Sequence, residues 1–191
     1  DYSNFLIAVS TERFGRYLSA CGGNKNKALR LYRLNQVLSR EMFSIVSCLE
    51  VGLRNRINHY MSDTYGADWL RDSILPGGIF DKKTTHATKK IIEKIYLELT
   101  TKKHYAPSKM LSKMEFGVWK YMYAGPQYSA SGRILLRVFP NKPTSTKMQK
   151  YDNSFIFGEL NAINEIRNRE KLWYRIYTHI SYIISLIRKR S

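Results

Sequence analysis

Apolar residues return at steps of three and four from about Asn26 to Met61. The series is Leu31, Leu34, Leu38, Met42, Ile45, Leu49, Leu53, Ile57 and Tyr60. That spacing puts them on one face of an α-helix, and only Gly52 weakens it. The pattern predicts one long helix, or two joined near Asn35. Ahead of it, residues 11–20 (TERFGRYLSA) predict a short helix capped by Ser10 or Thr11. The run Cys21-Gly22-Gly23-Asn24 ends it.

After the long helix, Gly66, Pro76, Gly77 and Gly78 mark a loop. Within 82–113, Ile91, Ile92, Ile95, Tyr96 and Leu99 keep a helical period, which predicts an amphipathic helix with a lysine-rich outer face. Met114 to Tyr123 (MEFGVWKYMY) is aromatic-rich and predicted helical, with Gly125-Pro126 breaking it. Residues 133–139 lead through Pro140 and Pro143 into another loop. Asn153 to Arg169 predicts a helix, and Lys171 to Arg190 a final one with Trp173, Ile176, Tyr177, Ile180, Ile183, Ile184 and Ile187 turned inward. Period-two alternation is scarce, so the predicted class is all-α.

Composition adds a core and a charge. At 191 residues with 43% hydrophobic and 13% aromatic side chains, the chain suits a single helical domain, residues 1–191, with 82–113 as an insertion or a binding face. Lys and Arg number 32 against 15 Asp and Glu, a formal +17. Such an excess points to a polyanionic partner, and nucleic acid fits because each neutralised phosphate releases counterions. The biased composition of an AT-rich genome also raises lysine. Residues 82–113 alone hold nine lysines and two glutamates. Lys82, Lys83, Lys89, Lys90, Lys102 and Lys103 are candidate phosphate contacts, although a solvated face has the same look. Arg188-Lys189-Arg190 suits a helix C-terminus or a phosphate.

No apolar run approaches the roughly 18 residues of a membrane span, and no signal-peptide pattern opens the chain. Cys21 and Cys48 lie far apart, which predicts buried free thiols in a reducing, cytoplasmic compartment rather than a zinc cluster.

The chemistry follows largely by elimination. Glycine-rich phosphate loops, HExxH and the nucleophile elbow are absent from the sequence. Carboxylates are few and scattered, against a two-metal nuclease. No metal, small-molecule cofactor or membrane partner is therefore expected. RNA cleavage without metal remains, because the substrate supplies its own 2′-hydroxyl. It needs a group titrating near neutrality, hence His, and a cation against the phosphorane, hence Arg. Of the four histidines, His86 and His104 read as surface residues and His179 as structural. His59 closes the string Arg54-Asn55-Arg56-Ile57-Asn58-His59, in which Asn55 and His59 share a helix face. Arg54 stands roughly 140° around the axis from His59. A second constellation, Asn164-Glu165-Ile166-Arg167-Asn168-Arg169, sets two arginines about an asparagine at a helix end. Read alone, it is better taken as a solvated basic terminus.

Taken in order, RFGRYLSACGGNKNKALRLYRLNQVLS, LEVGLRN, YGADW, LSKMEFGVWKYM, FP and INEIRNR resemble the Abi-like (AbiD/AbiF-type) abortive-infection proteins of the HEPN superfamily. The resemblance runs over most of the chain. It implies a HEPN-type helical bundle with added helices, and a homodimeric, metal-independent endoribonuclease. It further implies a toxin in anti-phage defence, paired in some members with a small structured noncoding RNA. By the same resemblance Arg167 is the motif arginine, Asn168 its polar neighbour, and Glu165 precedes them. The family expects one or two histidines soon after, but Arg169 is followed by Glu-Lys-Leu-Trp-Tyr-Arg. Three readings stay open. Residues between Arg169 and Glu170 are missing from the sequence, the protein is an inactive RNA-binding form, or Arg54, Asn55 and His59 supply the working motif.

Overall fold

A computed structural model describes residues 7–168 of the chain. Among them every regular element is helical and none is a strand. The helix expected over 171–190 lies outside the described residues. The chain divides into two compact units, Asp1–Ile45 and Val46–Ser191.

In the first unit, α1 covers Thr11–Ala20. Of the two candidate caps, Ser10 does the work: its hydroxyl oxygen accepts the N–H of Arg13 at 3.2 Å, satisfying one of the donors that a helix start leaves open. Gly22 and Gly23 then take positive φ of 59° and 81°, and the Gly23 N–H closes on the Leu18 carbonyl at 2.9 Å. Asn24 starts the next helix by accepting the Lys27 N–H at 3.0 Å. Phe14 is buried, with the rings of Tyr17 and Tyr32 at 6.3 Å.

That next helix, α2, is unbroken over Lys25–Tyr65 and crosses the division between the units. Neither Asn35 nor Gly52 interrupts it. The apolar stripe is not uniformly inward, however. Leu31, Leu34 and Leu38 are exposed, whereas Met42, Leu49, Leu53 and Ile57 are buried. Another expectation also needs correction: Cys21 is only half-buried and Cys48 is exposed. Cys48 belongs to the outward row Ser44, Cys48, Val51, Asn55 and His59, every member of which is exposed.

The second unit begins with the Leu53, Ile57 and Met61 row of α2, all at zero exposure. Helix α3 (Trp69–Asp72) packs its buried Trp69 there, and the indole N–H donates to Asn58 Oδ1 at 2.9 Å. The lysine-rich region is three elements rather than one helix. It comprises a 3-10 turn at Lys83–Thr85, α4 (His86–Thr101) and α5 (Pro107–Lys113). A positive φ at Lys103 ends α4's run, and Pro107 sits in the first turn of α5, where no N–H is missed. Helix α3 contacts α4 and α5, which also contact each other. Between α3 and α4, Gly78 is obligatory, because a Cβ there would fall on the carbonyl oxygens of Asp72 and Ser73.

Helix α6 covers Phe116–Tyr121. Gly125-Pro126 does not simply break the chain but opens α7 (Gly125–Ala130), again with proline in the first turn. The stretch leading to Pro140 holds a 3-10 turn, Ile134–Val138, whose Leu135 and Val138 are buried. Helix α8 (Asn153–Asn168) is started by Asp152, whose Oδ1 accepts the N–H groups of Ser154 and Phe155. Both α6 and α7 pack on α8.

Candidate functional site

Ile156, Leu160 and Ile163 of α8 are fully buried. Arg167 continues that row by one further turn, and its guanidinium reaches Glu50 of α2, Nη2 to Oε2, at 3.5 Å. The Glu50 side chain is 19% exposed and that of Arg167 34%. Arg54 follows Glu50 by one helical turn. Its Nε is buried and meets no acceptor, one of two such side-chain nitrogens among the described residues, with Trp119 Nε1. In the second unit Arg167 thus reaches the turn of α2 that carries Glu50 and, four residues on, Arg54. A buried N–H without an acceptor costs on the order of 1–3 kcal/mol.

The neighbouring row of α8 turns to α6. Phe157, Asn161 and Glu165 recur at intervals of four. Lys120 of α6 is only 6% exposed, and its ammonium donates to Asn161 Oδ1 at 2.8 Å. The Asn161 amide passes the chain on, Nδ2 donating to Glu165 Oε1 at 3.1 Å. Desolvation pushes the Lys120 pKa down, and Glu165 partly restores it. Glu165 therefore stands in a hydrogen-bonded chain distinct from the Arg167–Glu50 pair, although two residues separate it from Arg167 in sequence.

The Arg54…His59 string is divided by the helix. Arg54 carries its Nε inward, whereas Asn55 and His59 are exposed and His59 Nδ1 pairs with Asp63 at 3.5 Å. His86 and His104 are exposed. Asn168 is the last residue of α8. Arg169, His179, Arg188, Lys189 and Arg190 lie outside the described residues.

The candidate phosphate contacts fall into two groups. Lys82, Lys83, Lys90 and Lys103 are exposed and make no ion pair among the described residues. Lys94, one turn beyond Lys90, joins them, a position the helical spacing alone could have supplied. Lys89 instead pairs with Asp81 at 2.8 Å and Glu93 at 3.5 Å. Lys102 and Lys113 both hold Glu98, at 2.9 and 2.8 Å, drawing its carboxyl down to about 2. Exposed pairs of this kind are worth about 0–1 kcal/mol, so they hold these lysines only weakly.

Glu50, Lys120 and Asn161 were missed in the sequence. Glu50 had a signal, standing four residues before Arg54 on the same helix. Lys120 showed only as a cation inside an aromatic run. Asn161 had none. Among the described residues no cluster of three or more His, Cys, Asp or Glu side chains could hold a metal ion, and no helix is long and apolar enough to cross a membrane. No family model, curated protein or solved structure matches the chain.

Proposed function

We propose that the protein is an RNA-binding, HEPN-type toxin of an anti-phage abortive-infection or toxin–antitoxin system, acting as a homodimeric, metal-independent endoribonuclease in the cytoplasm. The observation that carries this reading is the meeting of Arg167 with the Glu50–Arg54 turn of α2. Arg167 stabilises the phosphorane as its charge develops, and Arg54 offers a donor to a non-bridging oxygen. The 2′-oxygen of the RNA bonds to the adjacent phosphorus, its proton passing to a base. The bond to the 5′-oxygen breaks, and that oxygen takes a proton from water as it leaves. The products are a 2′,3′-cyclic phosphate and a 5′-hydroxyl. The exposed lysines of the 82–113 region guide the strand.

Incubation of single-stranded RNA with the protein in chelator tests the reading, with end-group analysis of the products. Cyclic phosphate ends are expected, and Arg167→Ala is expected to slow cleavage about 100-fold or more. Cleavage unaffected by Arg167→Ala, or products ending in 3′-hydroxyl, would remove the mechanism. Sedimentation of the protein tests the dimer.

One observation favours a second reading. His59, the only histidine on α2, is exposed and paired with Asp63, and no histidine closely follows Arg167 in the sequence. On that reading the protein is a catalytically inactive component of a ribonucleoprotein gripping a structured noncoding RNA. An RNA of one size retained through purification, with no cleavage of any substrate, would select it.

A further inference from the structure

Of the Phe, Tyr and Trp side chains among the described residues, only Phe43 and Tyr121 are exposed. Tyr121 differs from an ordinary surface tyrosine in how its ring is held. It is 47% exposed at the end of α6. The Lys120 ammonium lies over its ring, 4.7 Å from the centroid. The Phe157 ring stands 5.7 Å away at 48°, and the same ammonium is 5.8 Å from that ring's centroid. Lys120 is itself fixed through Asn161 to Glu165.

This support is expensive. Lys120 is nearly buried, and its hydrogen bond goes to an amide rather than to a carboxylate. An apolar side chain such as Met would fill the same volume without desolvating an ammonium. What the cation supplies is a clamp on one face of the ring and a positive field beside it. Both suit a flat, electron-rich ligand carried on a polyanion. A purely apolar partner would gain nothing from the ammonium.

We infer that Tyr121 stacks a nucleobase of single-stranded RNA, with Lys120, Phe157, Asn161 and Glu165 holding its ring in place. The inference rests on the RNA reading above and adds a base contact to it. Stacking on an aromatic ring tolerates any base, because every base has a π-face. Tyr121 therefore contributes affinity for unpaired strands and little sequence preference.

The test is a binding titration with two fluorescent oligoribonucleotides of equal length, one of mixed sequence and one abasic throughout. The abasic strand keeps the phosphates and loses the stacking partner. Tyr121→Ala is expected to weaken binding of the mixed-sequence strand about tenfold and to leave the abasic strand unchanged. Tyr121→Trp is expected to restore the wild-type difference between the strands. Thermal melting of each variant checks that the fold is retained. Equal loss on both strands, or no loss on either, overturns the stacking role while the RNA reading stands. Failure of the wild-type protein to bind either strand overturns both.

Discussion

The two halves of α2 carry the same apolar periodicity and meet opposite fates. In the first unit Leu31, Leu34 and Leu38 are 40%, 58% and 41% exposed, and Phe43 is 65% exposed. In the second, Leu53, Ile57 and Met61 are completely buried. Periodicity says that an apolar stripe exists along one side of a helix. Whether the stripe is covered depends on what the rest of the chain brings to it. In the second unit, α3 to α8 surround a shared core that includes Trp69, Trp119, Phe80 and Phe139. Among the described residues, the first unit's own buried side chains are few: Phe14, Ala28 and Met42.

This contrast can be broken by mutation. The largest effect is expected at Leu53→Ala, which removes a fully buried side chain at about 2–5 kcal/mol. Urea denaturation followed by circular dichroism measures it. A midpoint unchanged from wild type would dissolve the contrast. Ser10→Ala in the first unit is expected to cost about 1 kcal/mol through loss of the α1 cap, again by denaturation. That places the first unit's stability in local caps as much as in burial. An acid titration sharpens the second unit. Lys113 and Lys102 hold the Glu98 carboxyl at about 2 against its ordinary 4.5. The folded pKa is the lower, so its stabilisation is present above pH 4.5 and is lost as pH falls toward 2. Glu98→Gln is expected to flatten that part of the stability curve, and an identical curve for variant and wild type would discount the pairs. The smallest effect is expected at Leu34→Ala, within about 0.5 kcal/mol. A loss matching that of Leu53→Ala would show that the first half of the stripe is covered in solution.

The candidate site shows the same division between what spacing reveals and what packing adds. Arg54 and Arg167 were both legible, each in a short polar motif on a helix. Their relation was not, since 113 positions separate them in the chain and Glu50, which Arg167 reaches, looked like an ordinary acid. Arg54 and His59 point to different sides of α2. Five residues turn a helix well past the face they began on, and here one end goes inward and the other to Asp63. Lys89 and Lys102 were legible as lysines, but not as lysines already paired.

The sequence by itself determined the all-α class, a helical run over about Asn26 to Met61 and the approximate bounds of α1 and α8, because these depend on residues three or four apart and on caps adjacent to them. It also determined the net charge. Only the tertiary structure decided which stretch of α2 is buried, that α8 carries Arg167 to Glu50, and that Lys120 reaches Asn161. Those are contacts between residues distant in the chain, and no local propensity encodes which distant side chain will fill a given space.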